Sequence, residues 1–181
     1  MPIARRAAAG ALAVDIAHDA GNALFGLVGL IGLIVADEPI DADRQRLLAQ
    51  AAGELDATLT PLLQFVRCAA DDGASAELGG AVRDGLGLYR HGRRKLLPIE
   101  TALAEAPVQV ACPPSLALQA VVHLLLAADP VESISLTGTT LRVTPARDPS
   151  LDELAAARIA ADEGGTLERD GPALTLRLPP A

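Results

Sequence analysis

The chain has 181 residues, with Lys+Arg 15 against Asp+Glu 23 and a formal net charge of -8 at pH 7. Half of the residues are hydrophobic but only 2% are aromatic, with Phe 2, Tyr 1 and Trp 0. That apolar content excludes a disordered chain, and an acidic, ring-poor chain excludes nucleic acid as a partner, because phosphates need a basic face and bases need rings to stack on.

Read from the N-terminus, Met1 to Ala13 places Arg5-Arg6 before an Ala-rich stretch, as a signal peptide does. Asp15, His18 and Asp19 interrupt the apolar run, so that reading fails. From about Ala8 to Ala36 the pattern is that of one long helix, with Leu12, Ile16, Ala20, Leu24, Leu27, Ile31 and Ile34 on one stripe. The run Ala20 to Ala36 falls short of the ~20 apolar residues a bilayer span takes. Gly21, Gly26, Gly29 and Gly32 dilute it and acidic residues flank both ends, so no membrane span is expected. Asp37 to Asp41 reads as a turn, with Pro39 stopping the first helix and Asp41 capping the second. The second helix, about Ala42 to Ala70, carries Leu48, Ala52, Leu55, Leu59, Leu62 and Val66 as a heptad seam, and Pro61 predicts a kink in it.

Two long helices joined by a short turn make an antiparallel hairpin that cannot bury two broad apolar faces alone. Two copies docked as a four-helix bundle would bury them, so residues 1–72 are expected to form a dimerisation domain and the chain a homodimer. The competing arrangement is a monomeric hairpin packed on the rest of the chain.

Asp71 to Ser75 reads as a linker, and the pattern beyond it, 76–181, changes to mixed α and β. A helix is expected from Ala76 to His91, ending in the basic stretch Arg90 to Lys95. Short strands follow at Ile99–Leu103 and Val108–Ala111, then a helix opened by Pro113-Pro114-Ser115 and running through Ala128. A hairpin pairs Ser133–Leu136 with Leu141–Thr144, the helix Leu151–Glu163 stops at Gly164-Gly165, and a last hairpin pairs Thr166–Glu168 with Leu174–Leu178. Three helices and five or six strands make a two-layer sandwich, so the fold class is α+β. Cys68 and Cys112 belong to no ligand spacing and fit a reducing, cytoplasmic compartment.

Chemistry concentrates on the first helix. Asp15, His18 and Asn22 stand at i−3, i and i+4, so they share one face, opposite the apolar stripe, that continues along Gly26 and Gly29. An imidazole flanked by carboxylate and amide can be held neutral, oriented and open to a phosphorus centre.

The segment His18-Asp19-x-x-Asn22-x-Leu24 resembles the H-box of histidine kinase dimerisation domains, and it sits on the first helix of the hairpin as in that family. Leu116 and Ala120 to Ala128 are similar to the family's N-box helix, and Ala155 to Leu178 to its last helix, Gly-Gly turn and closing hairpin. The departures are specific. His123 and Ala127 stand where the N-box has its two Asn residues, the second of which holds Mg²⁺. The Asp-x-Gly-x-Gly adenine loop is absent, Thr144 to Pro149 run straight into the final helix, and the glycine-rich lid has no counterpart. Phosphoryl transfer from ATP depends on positioned phosphates and metal, so neither ATP binding nor autophosphorylation is expected.

What remains resembles the dimeric histidine phosphotransferases, with a degenerate ATPase-like second domain. The resemblance implies that His18 takes a phosphoryl group from one response-regulator receiver domain and passes it to another. No cofactor is expected of this chain, the Mg²⁺ being supplied by the receiver. Asp19 corresponds to the acidic residue thought to orient or deprotonate the imidazole, whereas helix geometry favours Asp15, and both are retained. Asn22 matches the position that can direct water at a receiver's phosphate. Phe25, Gly26 and Gly29 are candidates for the receiver-docking face, the glycines having tight hairpin packing as an equal alternative. The partners implied are a second copy, receiver domains and a histidine kinase. A non-catalytic dimeric scaffold or inhibitor of a kinase or receiver is the alternative function. His91 and His123 lack partners at ligand spacing, His123 being expected on or near a helix face. The basic run reads as solvated, and Gly79-Gly80 as no phosphate loop.

Overall fold

A computed structural model of the chain describes residues 24, 26, 28, 29, 31, 41–66, 74–91, 98–103, 105–146 and 148–181. The described positions between 24 and 31 are helical. Four helices follow in chain order among the described residues: α1 (Ala42–Val66), α2 (Leu78–His91), α3 (Pro114–Ala127) and α4 (Leu151–Asp162). The strands are β1 (Ala76–Glu77), β2 (Glu100–Ala102), β3 (Gln109–Val110), β4 (Ser133–Thr137), β5 (Thr140–Thr144), β6 (Thr166–Asp170) and β7 (Ala173–Arg177). The chain is therefore mixed helix and sheet. No described helix is long and apolar enough to cross a membrane.

The main sheet has five strands in the order β2-β4-β5-β7-β6, with β2 parallel to β4 and the other pairs antiparallel. Its register lines apolar residues in rows. Leu136 faces Leu141, Leu141 faces Leu176 and Leu176 faces Leu167. A second row runs Ile134, Val143, Leu174 and ends on Arg169. Alternation puts Ser135, Arg142 and Thr175 on the opposite face, so only one face needs covering. Helix α3 is apolar nearly all round and is buried along its length, the signature of a helix inside a core rather than on its surface.

Helix α4 shows why local sequence fixes its ends. The Ser150 hydroxyl accepts from the Glu153 amide at 3.2 Å, an N-cap, and Asp152 and Glu153 complement the dipole in the first turn. At the other end Gly164, with φ +76, donates to the Ala161 carbonyl at 3.2 Å and Gly165 to that of Ala160 at 2.7 Å. That pair of bonds is a Schellman motif, whose left-handed position glycine fills without strain.

One expectation needs correction. The helix read from Ala76 starts at Leu78, because Ala76 and Glu77 pair instead with Val110 and Gln109 in a small two-stranded sheet. The Glu77 carboxylate then accepts from the Gly79 and Gly80 amides at 2.9 and 2.5 Å and caps the helix. On α1, Leu48, Ala51 and Leu55 are half-buried, and of the expected seam Ala52 and Leu59 are exposed. Helical backbone continues through Pro61 to Val66.

Candidate functional site

Asp15, His18, Asp19, Asn22 and Phe25 lie outside the described residues, as do the turn at 37–40, the linker at 71–73 and most of the basic run. Of the expected docking face, Gly26 and Gly29 are described. Both are exposed on helical backbone, and a Cβ built on either would meet nothing within 4 Å. Leu24, Val28 and Ile31, spaced by four and three, are exposed too, at 50 to 59%. On α1, Leu47 and Leu63 are exposed to a similar degree, with Leu59 next. These helices therefore present apolar side chains to solvent over a long stretch, and in the sandwich Leu151 and Leu154 of α4 are exposed as well.

The second region of interest is the α3–α4 contact. His123 is not on a helix surface: it is 1% exposed. Its Nδ1 lies 2.8 Å from Asp152 Oδ1, so a buried imidazole gains a carboxylate from a different helix. A hydrogen on Nδ1 lets the ring donate to that carboxylate. The pair is not legible in the sequence because its members are 29 residues apart. Ala127 is buried in the same sandwich core. The chain passes from β5, ending at Thr144, to α4, starting at Leu151, through residues 145–150 alone.

Other ionisable groups are structural. Arg169, at the end of its apolar row, forms a two-point ion pair with Glu153 of α4, Nε to Oε1 being 3.1 Å. The Tyr89 hydroxyl donates to Asp129 at 2.6 Å and accepts from the Val131 amide at 3.1 Å, anchoring the loop before β4. Burial pushes the Cys112 thiol up to about 12, with the Glu163 charge adding, so this cysteine is inert at neutral pH. Burial likewise raises the Asp84 carboxyl, opposed by Arg83 and reinforced by Glu77. Among the described residues no three His, Cys, Asp or Glu side chains are grouped to hold a metal ion.

No family model matches the chain, and no curated protein matches it. Among solved structures it is similar to a bacterial phosphotransferase at 15% identity and TM-score 0.42, covering 93% of this chain and 94% of that one. It is similar to the Acinetobacter baumannii histidine kinase AdeS at 16% identity and TM-score 0.44, covering 90% and 97%. A histidine kinase from Burkholderia phymatum STM815 gives 14% identity and TM-score 0.41, covering 90% and 95%. Likeness at this level assigns no function, and the functional reading rests on this chain's own residues.

Proposed function

We propose that this chain is a histidine phosphotransferase that relays a phosphoryl group between receiver domains through His18, without using ATP. The observation that carries the reading is a pairing within one sequence: an H-box-like His18-Asp19-x-x-Asn22-x-Leu24 precedes a sandwich whose β5–α4 connection is only residues 145–150. That connection leaves no length for an adenine loop and lid, so phosphate must come from an already phosphorylated partner. In the transfer, a ring nitrogen of neutral His18 attacks the phosphorus of a receiver's aspartyl phosphate. The N–P bond forms as the P–O bond to the aspartate breaks, and the carboxylate leaves as an anion. Transfer to the next receiver reverses these events. Asp15 or Asp19 holds the imidazole in position, Asn22 can direct water, and the receiver's acidic pocket supplies Mg²⁺.

The active form is a homodimer in this reading. Exposed Leu24, Val28 and Ile31, with Leu47, Leu59 and Leu63 on α1, support it. Each such side chain contributes about 1.5–3 kcal/mol when fully buried, so a second hairpin has several to cover. Gly26 and Gly29 leave room for a docking partner beside the His18 face.

The test is to incubate the protein with a phosphorylated receiver carrying a labelled phosphoryl group. Label moving to the wild type and absent from His18→Ala is the expected result. Retained binding with no transfer would instead leave a scaffold, and ATP binding with Mg²⁺ would overturn the reading. Sedimentation of Val28→Asp and Leu63→Asp is expected to give monomers where the wild type gives a dimer.

A further inference from the structure

We propose that Phe65, Gln119, His123 and Asp152 form a latch that fixes the C-terminal end of α1 on the sandwich, with Asp152 acting on α1 through the His123 ring. The inference does not depend on phosphotransfer. It starts from an asymmetry in α1, which is exposed or half-buried at the described side chains from Ala42 to Leu63 and then fully buries Phe65. The Phe65 ring sits in a small cluster of its own with Leu88 of α2 and Leu118 and Val122 of α3, flanked by Leu126. Gln119, buried on α3, reaches the backbone of the same residue, its Nε2 donating to the Phe65 carbonyl at 2.9 Å. Ring and backbone of one residue are thus both held by α3.

An aromatic neighbour of the Phe65 ring lies on the same helix as Gln119. The His123 imidazole lies 6.1 Å from that ring between centroids, tilted by 51°, within the range where aromatic pairs attract. Left alone, that imidazole could rotate about its bond to the chain and would bury an unpaired nitrogen. Asp152 prevents both through its 2.8 Å bond to Nδ1. Asp152 belongs to the first turn of α4, which Ser150 caps and the Glu153–Arg169 ion pair ties to β6. Helix α1 is therefore seated against a ring whose orientation is set from α4. Asp152 is a positioning residue in this scheme.

The full chain serves for the test, read by amide hydrogen exchange of peptides covering the last turn of α1 and, as an internal reference, β4–β5. Asp152→Ala is expected to speed exchange in the α1 turn about tenfold, which corresponds to about 1.4 kcal/mol, with the reference unchanged. Phe65→Ala should speed the same turn, and adding Asp152→Ala to it should give no further acceleration. Asp152→Asn, which keeps the shape and a hydrogen-bonding oxygen, should fall between the wild type and Asp152→Ala and covers the case in which the alanine variant does not fold. Acceleration confined to α4, equal acceleration in both regions, or effects of Phe65→Ala and Asp152→Ala that multiply would overturn the latch.

Discussion

Helix α2 packs closely on α3 in the sandwich, and the contact turns on Gly85. A Cβ added there would lie 2.7 Å from Val121 Cγ1 and 3.7 Å from Leu118 Cδ1. Carbon atoms in contact prefer about 3.5–4.0 Å, so one side must give by about 1 Å. Val121 is fully buried and β-branched on a helix, which leaves it one strongly preferred rotamer and nowhere to turn. Overpacking of this kind costs about 1–3 kcal/mol. Against it, replacing a helical glycine with alanine returns about 1 kcal/mol of helix propensity. Gly85→Ala is therefore expected to lose up to about 2 kcal/mol net. Gly87 supplies the control, because it is on the same helix and a Cβ there meets nothing within 4 Å. Gly87→Ala should be more stable than the wild type by up to about 1 kcal/mol. Urea unfolding of the three chains, followed by circular dichroism, reads the difference from the midpoints at a common slope. A Gly85→Ala protein as stable as Gly87→Ala would refute the packing argument. The clash also predicts coupling: Val121→Ala should cost less in the Gly85→Ala background than in the wild type.

Three further outcomes follow from single sites. Because burial raises the Asp84 carboxyl above 3.8, the folded chain holds more protons there than the unfolded one just above that pH. Stability contributed by this site consequently falls as pH rises through the window, so Asp84→Asn should be the more stable protein near neutral pH and lose its advantage in acid, as denaturation at several pH values would reveal. In a Cys68→Ser background Cys112, with its thiol pushed up to about 12, should resist Ellman's reagent while folded and react fully in denaturant. Ser150→Ala removes the N-cap of α4 and should lower stability by about 1 kcal/mol in the same urea assay.

Where structure follows from neighbours in sequence, it was legible. The β4–β5 and β6–β7 hairpins and the Gly-Gly stop of α4 were read to within a residue or two, because alternation and turn chemistry are local signals. Ala76 and Glu77 resemble a helix start in sequence, and only pairing with Val110 and Gln109 makes them a strand. Phe65 is inconspicuous in sequence for a related reason. The heptad rule follows one helix face, and Phe65 is buried where α1 leaves that pattern to meet α2 and α3. For His123 the sequence indicates a helix face but not the partner, because that partner is an aspartate on another helix. For the candidate site the position is reversed: the H-box-like segment is a sequence observation, and of its surroundings the structure describes Leu24, Gly26, Val28, Gly29 and Ile31.

The sandwich has a consequence for how deeply ATP use is lost on the proposed reading. If His123 and Ala127 were the whole difference from a kinase, restoring asparagine at both would bring back a metal ligand. Yet His123 points inward, is 1% exposed and is bonded to Asp152, and Ala127 is part of the apolar core. An asparagine at 127 would bury a polar amide in that core, at a cost of about 1–3 kcal/mol if left unpaired. One at 123 would give up the ring beside Phe65 and, with a shorter side chain, reach less far toward Asp152. Neither change adds chain between Thr144 and Leu151, where the adenine loop and lid would have to stand. The double substitution should therefore weaken the seat of α1 and lower the unfolding midpoint without producing nucleotide binding in a titration with ATP and Mg²⁺. Binding by that variant would mean that two side chains, rather than the short connection, keep the nucleotide out.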